Sequence, residues 1–116
     1  MSLRLSKQWV PLNPQSAGQL KGELGVFQLG NENKEVIYIG SAGSRSQFGL
    51  RGEIITHLKD AAFFRIEVTS AYSTRFQELL MLHHADFGCY PTLNSESDTA
   101  KLGKLSPMGK QTCTYN

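Results

Sequence analysis

With 116 residues, 40% of them hydrophobic, and a formal net charge of +2 at pH 7, the chain is long enough for one hydrophobic core and too short for two. That mixture of apolar and oppositely charged residues excludes a disordered polymer, and the mild positive charge permits a nucleic-acid partner without requiring one. No run approaches the ~18 apolar residues that span a bilayer, and the opening MSLRLSKQW has no apolar signal core, so the expectation is a cytoplasmic protein with no membrane partner.

In chain order, residues 1–23 carry Trp9, Pro11, Pro14 and Gly18 without periodicity and read as an irregular lead-in whose Trp9 and Val10 pack on the core. LGVFQL and EVIYIG follow, two short runs rich in Val, Ile, Phe and Tyr separated by the polar GNENK. This pattern predicts a hairpin with strands over 24–29 and 35–40. SAGSRSQFGL is loop by composition. Leu50, Ile54, Leu58 and Ala61 or Ala62 then recur at helical spacing and predict an amphipathic helix over 50–62. FRIEVT alternates, with Phe64, Ile66 and Val68 on one face of a half-buried strand. Thr74 followed by Gln77 has the form of a capping box opening a second helix. That helix carries Phe76, Leu79, Leu80, Leu82 and Ala85 and stops at Gly88. The order hairpin, helix, strand, helix predicts an α+β fold with a small three-stranded antiparallel sheet flanked by helices. The domain is expected over 24–94, followed by a polar tail over 95–116.

Few cofactor signals are present. Cys89 and Cys113 are the only cysteines. They lie far apart and outside CxxC spacing, so they read as ordinary thiols, and a zinc site shared with His83 or His84 lacks ligand spacing. His83 and His84 read as surface groups. Gly40, Gly43 and Gly49 form neither GxGxxG nor a GKS or GKT ending, which argues against a nucleotide cofactor, and HExxH and GxSxG are absent from the sequence.

GVF at 25–27, ten intervening residues and YIG at 38–40 lie on the two strands of the hairpin. With the arginine-bearing helix that follows, and then RFQELLMLHHADFGCYPTLN, this order resembles the GIY-YIG nuclease superfamily over residues 24–94. The resemblance implies a metal-dependent endonuclease that hydrolyses phosphodiester bonds, with nucleic acid, DNA before RNA, as its partner. It implies Tyr38 as base or water-positioner, Arg51 as phosphate clamp, His57 as an assisting proton carrier, and Glu78 as the ligand of a Mg²⁺ or Mn²⁺ ion. Asn94 falls at the family's closing asparagine, a support of the site grouped with Arg45 and Arg51 on the nucleic-acid side.

Residue chemistry is compatible with these roles and with plainer ones. Arginine offers a planar fork suited to phosphate oxygens. A phenol needs a nearby cation or metal to take a proton at neutral pH. One carboxylate suffices for a Mg²⁺ that keeps most of its water shell. A tyrosine in a strand also suits a core or interface, and Glu78 within an apolar helical stripe requires a metal or an arginine partner whichever its role. Arg45 and Arg51 suit a nucleic-acid backbone or a solvated surface equally.

Three departures from the family pattern bear on activity. Phe27 ends the first tripeptide, so one tyrosine hydroxyl is missing. Family members place a His or Tyr four residues after the arginine, but here Glu53 stands four before His57, and Arg51 six before it. On a continued helix Arg51 and His57 would lie about 120° apart. The loop between Gly40 and Arg51 is also longer than in the best-known members. These departures leave two rivals to an endonuclease: a domain of the same fold that binds nucleic acid without cutting it, and a protein-interaction module.

Overall fold

The computed structural model describes residues 5, 7–43 and 48–94. Among them the elements are β1 (Val10–Pro11), α1 (Pro14–Gly18), β2 (Gly25–Gly30), β3 (Val36–Ala42), α2 (Gly49–Thr56), β4 (Phe63–Val68) and α3 (Tyr72–Phe87). The strands form one antiparallel sheet in the order β1-β4-β2-β3. The α+β class is as expected, but the sheet has four strands rather than three. The extra strand is a two-residue pairing of Val10 with Phe64 and Pro11 with Phe63 at the edge of β4, a position that tolerates a proline with no N–H to donate.

The lead-in is therefore ordered in part. Asn13 caps α1 reciprocally, its side chain accepting from the Ser16 N–H at 2.8 Å while the Asn13 N–H donates to Ser16 Oγ at 3.1 Å, and Pro14 begins the helix. Ala17 is fully buried in the core. The Trp9 ring packs over Gly30 and the Arg65 guanidinium stacks on it at 4.1 Å, whereas Val10, expected on the core, is exposed.

The hairpin is central to the fold. β2 is buried along its whole length between β4 and β3. The turn closes locally, Asn31 Oδ1 accepting from the backbone N–H of Asn33 at 2.9 Å and of Glu35 at 3.0 Å. Alternation along the strands separates two faces. Phe27, Leu29, Ala42 and Phe64 form one core with Ala17 of α1 and Leu50 and Ile54 of α2. Val26 and Ile39 form the other with Leu79 and Leu80 of α3, Tyr90 and Leu5. The sheet thus lies between α1 and α2 on one side and α3 on the other.

Both main helices differ from their expected bounds. α2 stops at Thr56, where the Thr56 hydroxyl donates to the Glu53 carbonyl at 2.7 Å, and His57 has left helical geometry. The apolar period continues past that point because Leu58 and Ala61, although outside the helix, still pack on the same core. α3 begins at Tyr72, so Thr74 and Gln77 lie inside it and form no capping box, and Ala71 at its N-cap makes no side-chain cap bond. Its end is as expected. Gly88 takes φ +74 and its N–H donates to the His84 carbonyl at 2.7 Å, the left-handed stop that glycine accommodates. Among the described residues no helix is long and apolar enough to cross a membrane. The tail over 95–116 and Arg45 lie outside the described residues.

Candidate functional site

The YIG strand, β3, lies at the edge of the sheet beside β2, and Tyr38 pairs with Leu29 across the ladder. Tyr38 therefore shares the α2 face with Phe27 and Gly40, which pair with each other. A Cβ on Gly40 would stand 2.7 Å from Tyr38 Cε2 and closer still to Phe27 Cζ. The glycine of YIG is required because both aromatic rings fold over it. Phe27, where the GIY-YIG pattern has tyrosine, is fully buried, so this ring contributes packing and no hydroxyl.

His57 joins these rings. Its centroid lies 4.8 Å from that of Tyr38, with the planes inclined at 36°, and 6.0 Å from that of Phe27. Having left α2 at its C-cap, His57 is released from the helical wheel that placed it about 120° from Arg51. The turn beyond it closes with the Asp60 N–H donating to the His57 carbonyl at 2.9 Å, and the Asp60 carboxylate meets His57 Nδ1, also at 2.9 Å. The structure thus brings two expected site residues, Tyr38 and His57, into contact and adds Asp60, which the sequence reading passed over.

Arg51 lies on α2 itself and faces outward. It lines an open groove with Phe48, Glu53, Ile55 and Thr56, and Phe48, at 62% exposure, is among the most exposed large apolar side chains. Arg51 makes no ion pair among the described residues, which leaves its fork available to an anion.

Glu78 belongs to the other face. Its carboxylate pairs with Arg75 one turn earlier in α3, and Arg75 also donates to Glu67 through Nε at 2.8 Å and Nη2 at 3.1 Å. Glu67 pairs with Val26 on the α3 side of the sheet, and β2 lies between its strand and β3. Glu78 is therefore held away from Tyr38 and His57. The hydrogen bonds that Arg75 donates to Glu67 and then to Glu78 hold its guanidinium above its ordinary range, against the opposing effect of burial. Of the partners anticipated for Glu78, the arginine is present. The Glu78 carboxylate thus pairs through one oxygen with Arg75, on the face of the sheet opposite Tyr38.

Asn94 is a structural clamp. Buried to 4% exposure, it accepts from the Ile39 N–H and donates to the Ile39 carbonyl, both at 2.9 Å. With the Leu93 N–H donating to the Ile37 carbonyl at 2.8 Å, it covers the outer edge of β3. The amide thus holds the backbone of β3 one residue beyond Tyr38. Its hydrogen bonds are spent on backbone rather than on nucleic acid.

Two further expectations are corrected near the end of α3. His83 is buried rather than at the surface, its Nδ1 lying 2.7 Å from the Cys89 carbonyl. Burial pushes its pKa below the usual value of 6.5 against smaller opposing effects of that hydrogen bond and Asp86. Cys89 is disulfide-bonded rather than a free thiol.

Together the fold and the Tyr38–His57 contact define a small α+β domain with an aromatic, histidine-bearing face on the edge hairpin of a four-stranded antiparallel sheet. The chain belongs to the family described as a domain of unknown function, DUF7508, whose family model matches residues 1–86. Neither curated proteins nor solved structures gave a match.

Proposed function

We propose that this domain is a GIY-YIG-like endonuclease that hydrolyses phosphodiester bonds of nucleic acid, DNA in the first instance, using the face formed by β3 and α2. The observation that carries the proposal is the contact of Tyr38 with His57 at 4.8 Å between ring centroids. It sets a phenol and an imidazole side by side where the motif order calls for a water-activating pair. Hydrolysis requires a group to take the proton of the attacking water and positive charge to meet the phosphate. His57 with Tyr38 supplies the first, and Arg51 on the neighbouring surface of α2 supplies the second.

The metal half of the family mechanism has no comparable support. Mg²⁺ or Mn²⁺ at Glu78 would share the carboxylate with Arg75 and would lie across the sheet from Tyr38, so no step is assigned to it. This placement favours a second reading, in which the same surface binds nucleic acid and does not cut it.

Labelled single-stranded, duplex and branched DNA, incubated with the protein in Mg²⁺, Mn²⁺ or EDTA, separates the two. Cleavage is the expected outcome. Binding that weakens as salt rises, without cleavage in any metal, supports the second reading. Absence of any salt-dependent affinity refutes both and leaves an interaction module. Glu78→Gln decides the metal question, because a ligand of an essential ion abolishes cleavage when neutralised, whereas a partner of Arg75 alone does not.

A further inference from the structure

The four-residue turn that follows α2 is built around its own histidine. The Asp60 N–H donates to the His57 carbonyl, and the Asp60 side chain returns to His57 Nδ1, each at 2.9 Å. A carboxylate that accepts from Nδ1–H fixes the imidazole in one tautomer and leaves Nε2 with its lone pair. His57 Nε2 has no hydrogen-bond partner among the described residues, and the ring is further held by Tyr38 and Phe27 at 4.8 and 6.0 Å.

We infer that Asp60 is a positioning residue for the hydrolytic face, holding His57 in the Nδ1–H tautomer and its ring against Tyr38, so that Nε2 is the atom that accepts the proton. The inference rests on the phosphodiesterase reading of the β3–α2 face. In the step it serves, the oxygen of a water molecule forms a bond to phosphorus while one water proton passes to His57 Nε2. The bond from phosphorus to the departing sugar oxygen breaks with its electron pair on that oxygen. The oxygen takes a proton from solvent and His57 returns its own to solvent, so charge and atoms balance and no redox partner is involved. Asp60 touches neither water nor phosphate. It acts through the imidazole, stabilising the positive ring that forms once Nε2 is protonated.

The same geometry accounts for the altered spacing on the helix. An arginine and a histidine one turn apart on a continuous helix would be orientated by the helix itself. Here α2 ends at Thr56, and the turn carrying Asp60 takes over the orientation of a histidine that no longer lies on the helix.

The test uses full-length protein with ¹⁵N-labelled histidine. Long-range ¹H–¹⁵N correlation reads the tautomer of His57, assigned by comparison with His57→Gln, and the cleavage assay on labelled DNA is run beside it. Wild-type protein is expected to show the Nδ1–H form, and Asp60→Ala to shift His57 towards the Nε2–H form. Asp60→Ala is also expected to lower kcat about 10-fold to 100-fold with KM for DNA unchanged, the scale of losing an orienting partner behind a proton-transfer group. Asp60→Asn, which keeps an acceptor oxygen and loses the charge, retains the tautomer and falls between in rate. An Nε2–H signature in wild-type protein overturns the inference, as does a His57 signal indifferent to Asp60→Ala, or a kcat that does not fall when the tautomer changes. The tautomer signal needs no turnover. Wild-type protein that shows it but cuts no DNA therefore refutes the phosphodiesterase reading and the positioning role with it, distinguishably from an Asp60 that never held His57.

Discussion

Replacing Asn94 with alanine removes two hydrogen bonds at once. Its amide satisfies both the N–H and the carbonyl of Ile39 at 2.9 Å, and Ile39 itself is fully buried. A buried backbone group left without a partner costs about 1–3 kcal/mol. Because β3 is an edge strand, water can recover part of this loss, and the expected destabilisation is about 2–4 kcal/mol. Against the roughly 5–15 kcal/mol that holds a domain together, that is a large share, worth about 10 °C or more in Tm for a chain of this size. Urea unfolding followed by fluorescence of Trp9, the single tryptophan, measures it directly, and the slope m should be unchanged if only stability is altered. Asn94→Asp serves as the comparison. It keeps an acceptor for the Ile39 N–H but presents an oxygen to the Ile39 carbonyl, so it too should destabilise. A loss below about 0.5 kcal/mol for Asn94→Ala, the level of an ordinary surface change, would refute the clamp. Reduced DNA affinity with full stability would instead return Asn94 to the nucleic-acid side.

Other substitutions test separate parts of the structure. Gly40→Ala drives a methyl group into the Phe27 and Tyr38 rings and should cost about 1–3 kcal/mol, with altered near-ultraviolet circular dichroism from the displaced aromatics; an unchanged spectrum and stability would contradict the packing. His83 has a folded-state pKa held below 6.5 chiefly by burial, so the unfolded chain takes up its proton first. Its contribution is then complete above pH of about 6.5 and is lost as pH falls below that value. Unfolding measured between pH 7.5 and 5 should show this loss in wild-type protein and a smaller one in His83→Gln, and parallel curves would remove His83 as its source.

The parts of this fold legible in sequence are those in which local pattern and tertiary environment agree. The hairpin, the alternating strand of Phe64 and Ile66, and the Gly88 stop required only periodicity and a glycine. β1 was hidden because a two-residue edge pairing containing Pro11 has no period to read. The end of α2 was hidden because burial of Leu58 and Ala61 prolongs the apolar spacing after the backbone has turned. In the candidate site, the resemblance carried by YIG pointed to Tyr38 and His57, the latter as a residue of a helix expected over 50–62 rather than of the turn beyond Thr56. Arg75 and Asp60 were missed, although each stands at a separation of three from its partner, Glu78 and His57 respectively, a spacing at which ion pairs are worth seeking. The face on which Glu78 falls could not be read locally, since it depends on how α3 is laid across a sheet whose strand order is fixed by distant pairings.

The central claim is that the Tyr38–His57 face cuts DNA. It is tested most directly by cleavage rates of wild-type, Tyr38→Phe and His57→Gln protein on the preferred labelled substrate, with folding of each variant verified by urea unfolding. Wild-type cleavage that falls about 100-fold or more in both variants, the scale of losing general acid–base assistance, is the expected result. Wild-type protein that cleaves no DNA in Mg²⁺ or Mn²⁺, or cleavage that persists undiminished in both variants, contradicts the claim.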